Sequence, residues 1–241
     1  MDVDEFGHHI SRSFNEDLEK VRNSVLAMGG LVEQQFDRAV ESLANADSDL
    51  GLKVARDDYK VNRMEVAIDE ECSRILATRS PAASDLRLII AILKTITDLE
   101  RVGDEAERIG EISAQLASQE RPSTNYRELR NLARHVKDML HGTLDAFARL
   151  DAASALEIVK ADDIVDDEYE TINRQCITFM MEDPRAISRV LDSTWIARSL
   201  ERIGDHCKNI CEYVVFMVHG KDIRYTKLGE VEAAISTSPR S

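Results

Sequence analysis

Two pairs of carboxylates at helical spacing are the residues of this sequence best suited to chemistry. Glu100 and Asp104 are four residues apart, and Glu201 and Asp205 repeat that spacing. On an α-helix, this spacing places both carboxylates of a pair on one face, one turn apart. At about 100° per residue, Glu100 lies about 40° from Ile96, so the pair borders an apolar stripe. Acids placed in this way can bind a cation beside a helical core.

A second helix in each half of the chain offers further oxygen ligands. Asp162 and Asp166 are again four residues apart, and Asp58 is flanked equivalently in the first half, with Asn62 at the partner position. Hard cations, iron and manganese prefer oxygen-rich sites. Two helices of one bundle could thus bring three or four oxygen ligands together, with the amide of Asn62 in place of one acid in the first half. The predicted ligands are Asp58, Glu100, Asp104, Asp162, Asp166, Glu201 and Asp205.

Ion pairing with arginine is the alternative to a metal. Like charges at this spacing destabilise a helix by a few tenths of a kcal/mol, so each pair needs compensation. Several arginines are close enough in sequence to supply it: Arg101, Arg108, Arg198 and Arg202. The residues alone leave both alternatives open. Gly103 and Gly204 disfavour a helix, and their expected role is to let a neighbouring helix approach beside the acids.

Other kinds of site have little support in the sequence. The acidic helices lack the Glu-x-x-His pairs of di-iron bundles. We find no phosphate-binding glycine loop and no paired nucleophile and base, so no catalytic residue is predicted. The cysteines form no Cys-x-x-Cys motif and are expected to be buried free thiols in a reducing compartment. They are Cys72, Cys176, Cys207 and Cys211.

Long helices are expected to position these acids. Apolar residues recur every three or four positions from Leu18 to Leu43, which is typical of an amphipathic helix. Ser80 before Pro81, and Asp183 before Pro184, indicate helix N-caps, and Asn125 with Glu128 reads as a capping box. The pattern predicts an all-α fold whose short connections favour antiparallel packing. The six predicted helices cover about 12–46, 49–78, 83–117, 127–149, 152–182 and 185–218.

The chain repeats itself at about half its length. LERVGDEAERIGE at 99–111 matches LERIGDHCKNICE at 200–212, and an upstream set of residues recurs at a shift of 104, including Asp58 with Asp162. Such a repeat predicts two tandem three-helix bundles. The predicted domains are 8–121 and 122–228, followed by a disordered tail at 229–241.

Composition narrows the class of protein. The 241 residues carry 45 acidic and 31 basic side chains, a net charge of −14, which argues against nucleic-acid binding. We find no run of about 18 apolar residues that would predict membrane insertion. The N-terminus shows no pattern of a signal peptide, so we expect a cytoplasmic protein.

The chain resembles the PhoU family of phosphate-specific transport system accessory proteins from about residue 8 to about residue 228. The resemblance rests on the duplicated Glu-x-x-x-Asp motif within a doubled three-helix unit. It also rests on MGGLVEQQF at 28–36, MEVAIDEEC at 64–72, PAASDLRL at 81–88, MLHGTLDAFARLD at 139–151, FMMEDPR at 179–185 and ARSLERIGDHCKNICEYV at 197–214.

This resemblance implies a non-enzymatic, cytoplasmic negative regulator of the phosphate-starvation response. Family members connect the ATPase subunit of the phosphate ABC transporter to a sensor histidine kinase and restrain phosphate uptake. The resemblance also implies a homodimer, and iron, zinc, manganese or magnesium at the acidic motifs. The residues that match are Glu100 and Asp104 with Asp58, and Glu201 and Asp205 with Asp162 and Asp166.

Three other functions compete with this one. A metal-dependent hydrolase could use the duplicated carboxylates to activate water. A purely structural helical scaffold would use them only as ion-paired surface. A direct phosphate sensor is disfavoured by the acidity of the chain, unless a bound cation reverses the local charge.

Overall fold

Seven α-helices and no strand make up the part of the chain that the computed structural model describes, residues 3–81, 83–117, 127–224 and 226. Side chains are described from residue 13 onward. The helices are α1 (Val3–Asn45), α2 (Ser48–Asp57), α3 (Tyr59–Arg79), α4 (Ala83–Ala117), α5 (Arg127–Arg149), α6 (Ala152–Glu182) and α7 (Ile187–His219), with a short 3₁₀ turn at Pro184–Ala186. The all-α prediction is confirmed. Asn125 of the predicted capping box and the predicted tail at 229–241 lie outside the described residues.

The second predicted helix is divided into α2 and α3 at Asp58. There the backbone N–H of Val61 donates to the Asp58 carbonyl at 2.8 Å, three residues back instead of four. The dihedral angles of Asp58, φ −55° and ψ −37°, stay in the right-handed helical region. The interruption therefore tightens one turn without reversing the chain. α6, the corresponding helix of the second half, runs through Asp162 unbroken.

The two halves use the same turn before their second helices. Asp47 caps α2 by accepting a hydrogen bond from the Leu50 N–H, and Asp151 caps α6 through the N–H groups of two following residues. The predicted cap at Asp183 is confirmed, because its carboxylate accepts from the Arg185 N–H at 3.0 Å. The predicted N-cap at Ser80 is wrong. Ser80 ends α3 in the left-handed conformation, φ 48°, and α4 begins at Ala83.

One continuous apolar core joins the two halves. α1 packs on α2, α3 and α4, whereas α5 and α6 pack on α7, and α4 also packs along α7. The stripe predicted on α1 faces this core, with Met28, Val32 and Phe36 fully buried. The predicted domain boundary between residues 121 and 122 lies outside the described residues, and the division into domains stays a prediction. None of the helices in the described ranges is apolar enough over a sufficient length to cross a lipid bilayer.

α2 approaches α4 so closely that a Cβ would clash both at Gly51 on α2 and at Gly110 on α4. A Cβ at Gly51 would collide with the Gly110 carbonyl oxygen and lie 2.7 Å from Ser42 Oγ. Because these helices cannot separate without opening the core, we expect Gly51→Ala to lower the free energy of unfolding by about 1–3 kcal/mol. Gly30→Ala on α1 is the matched control, since a Cβ there meets nothing within 4 Å. It should raise the stability by up to about 1 kcal/mol. Urea unfolding of both variants tests this, and a stable Gly51→Ala protein would contradict it.

Candidate metal centre

Three carboxylates of the first half converge between α4 and the interruption of α2 and α3. Asp58, Asp104 and Glu107 each offer one oxygen, and these oxygens all lie within 4.8 Å of one another. Asp58 is buried, and the other two are half-buried. Gly103 permits the approach, because a Cβ there would lie 3.2 Å from Asp58 Oδ1. The packing role predicted for this glycine is confirmed.

Two amide side chains orient the Asp58 carboxylate. Gln35 Nε2 donates to Asp58 Oδ1 at 2.8 Å, and Asn62 Nδ2 donates to Asp58 Oδ2 at 3.0 Å. Asn62 replaces an acid in the repeat, and it donates a hydrogen bond to the candidate ligand Asp58. Gln35 is buried, and its Oε1 has no hydrogen-bond partner among the described residues. Such outer contacts hold a ligand in the orientation a metal needs.

Glu107 was missed by reasoning from the sequence. It lies three residues after Asp104, on the same face of α4. Its presence offsets the loss of an acid at Asn62, so the expectation of less charge in the first site is not met. Partial burial, followed by the charges of Asp58 and Glu111, raises the pKa of Glu107 to about 6. The repeat contained a signal, because Glu107 aligns with Lys208 and the two sites differ in charge at that position.

Glu100 lies outside this group of three. Its carboxylate is 3.4 Å from the Arg101 guanidinium, which also contacts Asp104 at 3.3 Å. Partial burial and the charge of Asp104 raise the pKa of Glu100. Glu100 is therefore coupled electrostatically to the group of three, but Arg101 partly compensates the negative charge of Glu100.

The second half places a lysine among its acids. Lys208 Nζ lies 2.7 Å from Asp162 Oδ2, and Asp162 is only 1% exposed. Arg198 Nη1 lies 2.7 Å from Glu201 Oε1, whereas Asp166 and Asp205 are exposed. Within the described residues, no second group of three meets the distance that defines the first. The first half therefore brings three carboxylates together with Arg101 beside one of them, whereas Lys208 and Arg198 pair with acids of the second half.

The other two predicted arginines, Arg108 and Arg202, lie at the contact between the two halves, as does His206. Arg202 Nε pairs with Glu105 on α4 at 2.8 Å, and His206 Nδ1 lies 2.7 Å from Asp98. Arg108 lies over the ring of Trp195, 5.0 Å from its centre. These contacts join α4 to α7. Gly204 packs beside Asp162 as Gly103 does beside Asp58, with a Cβ there 3.2 Å from Val165.

Glu201 should make the stability of the metal-free protein depend on pH. Burial, followed by the charge of Asp205, raises the pKa of Glu201 from 4.5 to about 7. The folded state therefore binds this proton more tightly, and the stability it contributes is lost as the pH rises through 7. We expect Glu201→Gln to remove up to about 3 kcal/mol of the decline in unfolding free energy between pH 5 and 8. Urea unfolding in EDTA measures this. Glu182→Gln, an exposed change on α6, is the control and should leave the slope intact.

The fold and the site together define a duplicated helical-bundle protein, with acids gathered beside Gly103 in the first unit and beside Gly204 in the second. The PhoU domain model matches the chain twice, at residues 25–113 and 129–214. The chain belongs to the PhoU family.

Relatives match over nearly the whole chain. A phosphate-specific transport system accessory protein PhoU homolog from Pseudomonas aeruginosa is 50% identical over 238 residues, which are 99% of this chain and 98% of that protein. The accessory protein PhoU of Escherichia coli K12 is 48% identical over 236 residues, or 98% of each chain. These relatives are named as accessory proteins of the phosphate-specific transport system, in agreement with the accessory role that the resemblance predicted.

Two solved structures share the fold. PhoU from Pseudomonas aeruginosa superposes with a TM-score of 0.84 at 53% sequence identity, over 86% of this chain and all of that one. The phosphate transport system regulatory protein PhoU from Streptococcus pneumoniae gives a TM-score of 0.81 at 30% identity, over 87% of this chain and 98% of that one. The predicted pair of three-helix units is confirmed.

Proposed function

We propose that this protein is a cytoplasmic accessory protein of the phosphate-specific transport system and a negative regulator of the phosphate-starvation response. The observation that carries the proposal is identity of about half the residues, over nearly the whole chain, with proteins named for that system. Its partners would be the ATPase subunit of the phosphate ABC transporter and the phosphate sensor histidine kinase. An accessory role is favoured over a metal-dependent hydrolase, because the relatives are named as accessory proteins.

The surface offers apolar side chains that partners could cover. Large apolar residues are exposed at the end of α6 and the beginning of α7, among them Ile177, Met181, Ile187, Leu191 and Trp195. Exposed apolar side chains concentrated in this way are typical of interaction surfaces. They support binding to another protein, whether a second copy in a homodimer or a component of the transport system.

A cation bound by Asp58, Asp104 and Glu107 is part of the proposal. Three carboxylate oxygens suit magnesium, manganese or iron better than zinc, which prefers nitrogen and sulfur ligands. The cation would supply positive charge that holds the interruption of α2 and α3 against α4. The second half could bind a cation only after Lys208 moves away from Asp162. Its ligands would be Asp162, Asp166, Glu201 and Asp205.

Deletion of the gene tests the regulatory proposal. In high phosphate, a reporter of a phosphate-starvation gene should be switched on in the deletion strain and silenced again when the wild-type gene is returned. A reporter that stays silent after deletion would sink the proposal.

Capture experiments test the partners. The purified protein should retain the transporter ATPase subunit and the cytoplasmic part of the kinase on a column, and Met181→Glu with Leu191→Glu should weaken capture of at least one. A double variant of exposed residues away from this surface, Arg56→Glu with Arg63→Glu, serves as the control. Equal capture by wild type and both variants would contradict the assignment of the surface.

A further inference from the structure

A cavity between α1 and α2 collects positive charge in this acidic protein. Arg38, Lys53 and Lys60 line it, together with the acid Asp57, and its volume is about 280 Å³. Arg38 comes from α1, Lys53 from α2 and Lys60 from the first turn of α3. The buried side chain of Val54 forms part of its wall, and Gln34 adds an amide. The cavity is thus concave, cationic and partly apolar, as pockets for small anionic ligands are.

The basic side chains that line this cavity outnumber the acids that line it. Lys60 Nζ pairs with Asp57 Oδ1 at 2.7 Å. Arg38 and Lys53 form no ion pair or side-chain hydrogen bond with any described residue. Three cations against one acid leave an excess of two positive charges, although the whole chain carries −14. The pKa of Asp57 is lowered by its hydrogen bond from Lys60, and further by the charges of Lys53 and Arg38, so all three cations act on the same space.

The internal repeat shows that the fold itself does not need these cations. At the shift of 104 residues, Arg38 corresponds to Gly142, Lys53 to Glu157 and Lys60 to Ile164. The second half forms the same three-helix unit without a basic side chain at any of the three positions. The cluster is therefore particular to the first half, and a role in folding does not account for it.

We propose that this cavity binds a phosphate group, either as inorganic phosphate or as the phosphate of a small monoester. A phosphate dianion balances the excess of two positive charges. Arginine can donate two parallel hydrogen bonds to phosphate oxygens, and lysine supplies point charges around them. The cavity exceeds the size of phosphate alone, which leaves room for water or for the organic part of a monoester against Val54. The net negative charge of the whole chain disfavoured a phosphate site. In this cavity, basic side chains make the local charge positive without a metal.

The test is calorimetric titration of the purified full chain, at 150 mM salt in EDTA, with inorganic phosphate and with phenyl phosphate as separate ligands. One-to-one binding is expected for at least one of them. The ligand that binds more tightly shows whether the cavity takes inorganic phosphate or a phosphate monoester. Arg38→Gln with Lys53→Gln should weaken binding at least about tenfold, since two charge-assisted contacts are lost. Arg56→Gln with Arg63→Gln removes the same charge from α2 and α3 outside the cavity, and should change affinity less than about threefold. Gln35 is left intact in all variants because it also contacts Asp58.

Three outcomes would overturn this proposal. The first is that neither ligand binds saturably. The second is that both double variants weaken binding equally, which would indicate a diffuse charge effect. Binding that appears only with added Mn²⁺ and is lost in Asp104→Asn would place phosphate on the metal centre instead. Because the assay uses purified protein, its failure is separate from any failure of the regulatory proposal.

Discussion

Replacement of Lys208 by methionine is expected to lower the free energy of unfolding by about 3–5 kcal/mol, because it leaves a buried carboxylate without its cation. Lys208 Nζ lies 2.7 Å from Asp162 Oδ2, and Asp162 Oδ1 has no hydrogen-bond partner among the described residues. Asp162 is 1% exposed, so water cannot replace the lost contact. Glu201 adds to the repulsion, since its own pKa is already raised by burial and by the neighbouring acids.

Urea unfolding at pH 7.5 in EDTA measures this loss. The double variant Asp162→Asn with Lys208→Met removes both charges and should recover most of the stability, because the penalty arises from the unpaired acid. Lys160→Met, on the surface of α6, is the control. It breaks a solvent-exposed pair with Glu157 and should cost less than about 1 kcal/mol. If Lys208→Met and Lys160→Met behave alike, Lys208 does not compensate the second acidic cluster.

Exchanging the charge at Glu107 or Lys208 is expected to change the number of bound cations. The two residues occupy the same position of the repeat. Glu107 lies beside Asp58 and Asp104, whereas Lys208 pairs with Asp162 and interacts with the charge of Asp205. In wild type we expect one Mn²⁺ to bind in the first half. Glu107→Lys should weaken that binding by about 100-fold or more, because it replaces a ligand with a cation. Lys208→Glu should create a second site, because it reproduces the three acids of the first.

Titration with Mn²⁺, followed by the free-ion electron paramagnetic resonance signal, counts the sites. Affinity in wild type should fall as the pH drops through about 6, because Glu107 then takes up a proton and a protonated ligand does not bind metal. Glu111→Lys makes the same change of charge one turn further along α4 and is the control. One bound ion in wild type and two in Lys208→Glu would fit the proposal. Equal losses in Glu107→Lys and Glu111→Lys would point to bulk charge and refute a defined site.

Much of the fold follows from short-range patterns. The apolar period from Leu18 to Leu43 predicted α1, and Asp183 before Pro184 predicted the cap that leads into α7. These features depend on residues within a turn or two of each other, so the local sequence is enough to predict them. The matched segments around Gly103 and Gly204 predicted two equivalent units and the close helix contact at both glycines. The N-cap predicted at Ser80 was wrong, because a serine before a proline can also follow the end of a helix. Ser80 ends α3, and α4 begins three residues later at Ala83.

The sequence by itself determined which acids share a face of one helix, since a spacing of four residues is a local property. It did not determine which acids of different helices meet. Asp58 reaches Asp104 and Glu107 because α4 packs against the interruption after α2, with Gly103 at the point of contact. Lys208 reaches Asp162 only because α7 packs along α6. Compensation of a buried charge depends on distances of a few ångströms between separate helices. The packing of the helices therefore decided where carboxylates converge and where a lysine pairs with a buried acid, and the two copies of one motif differ in this respect.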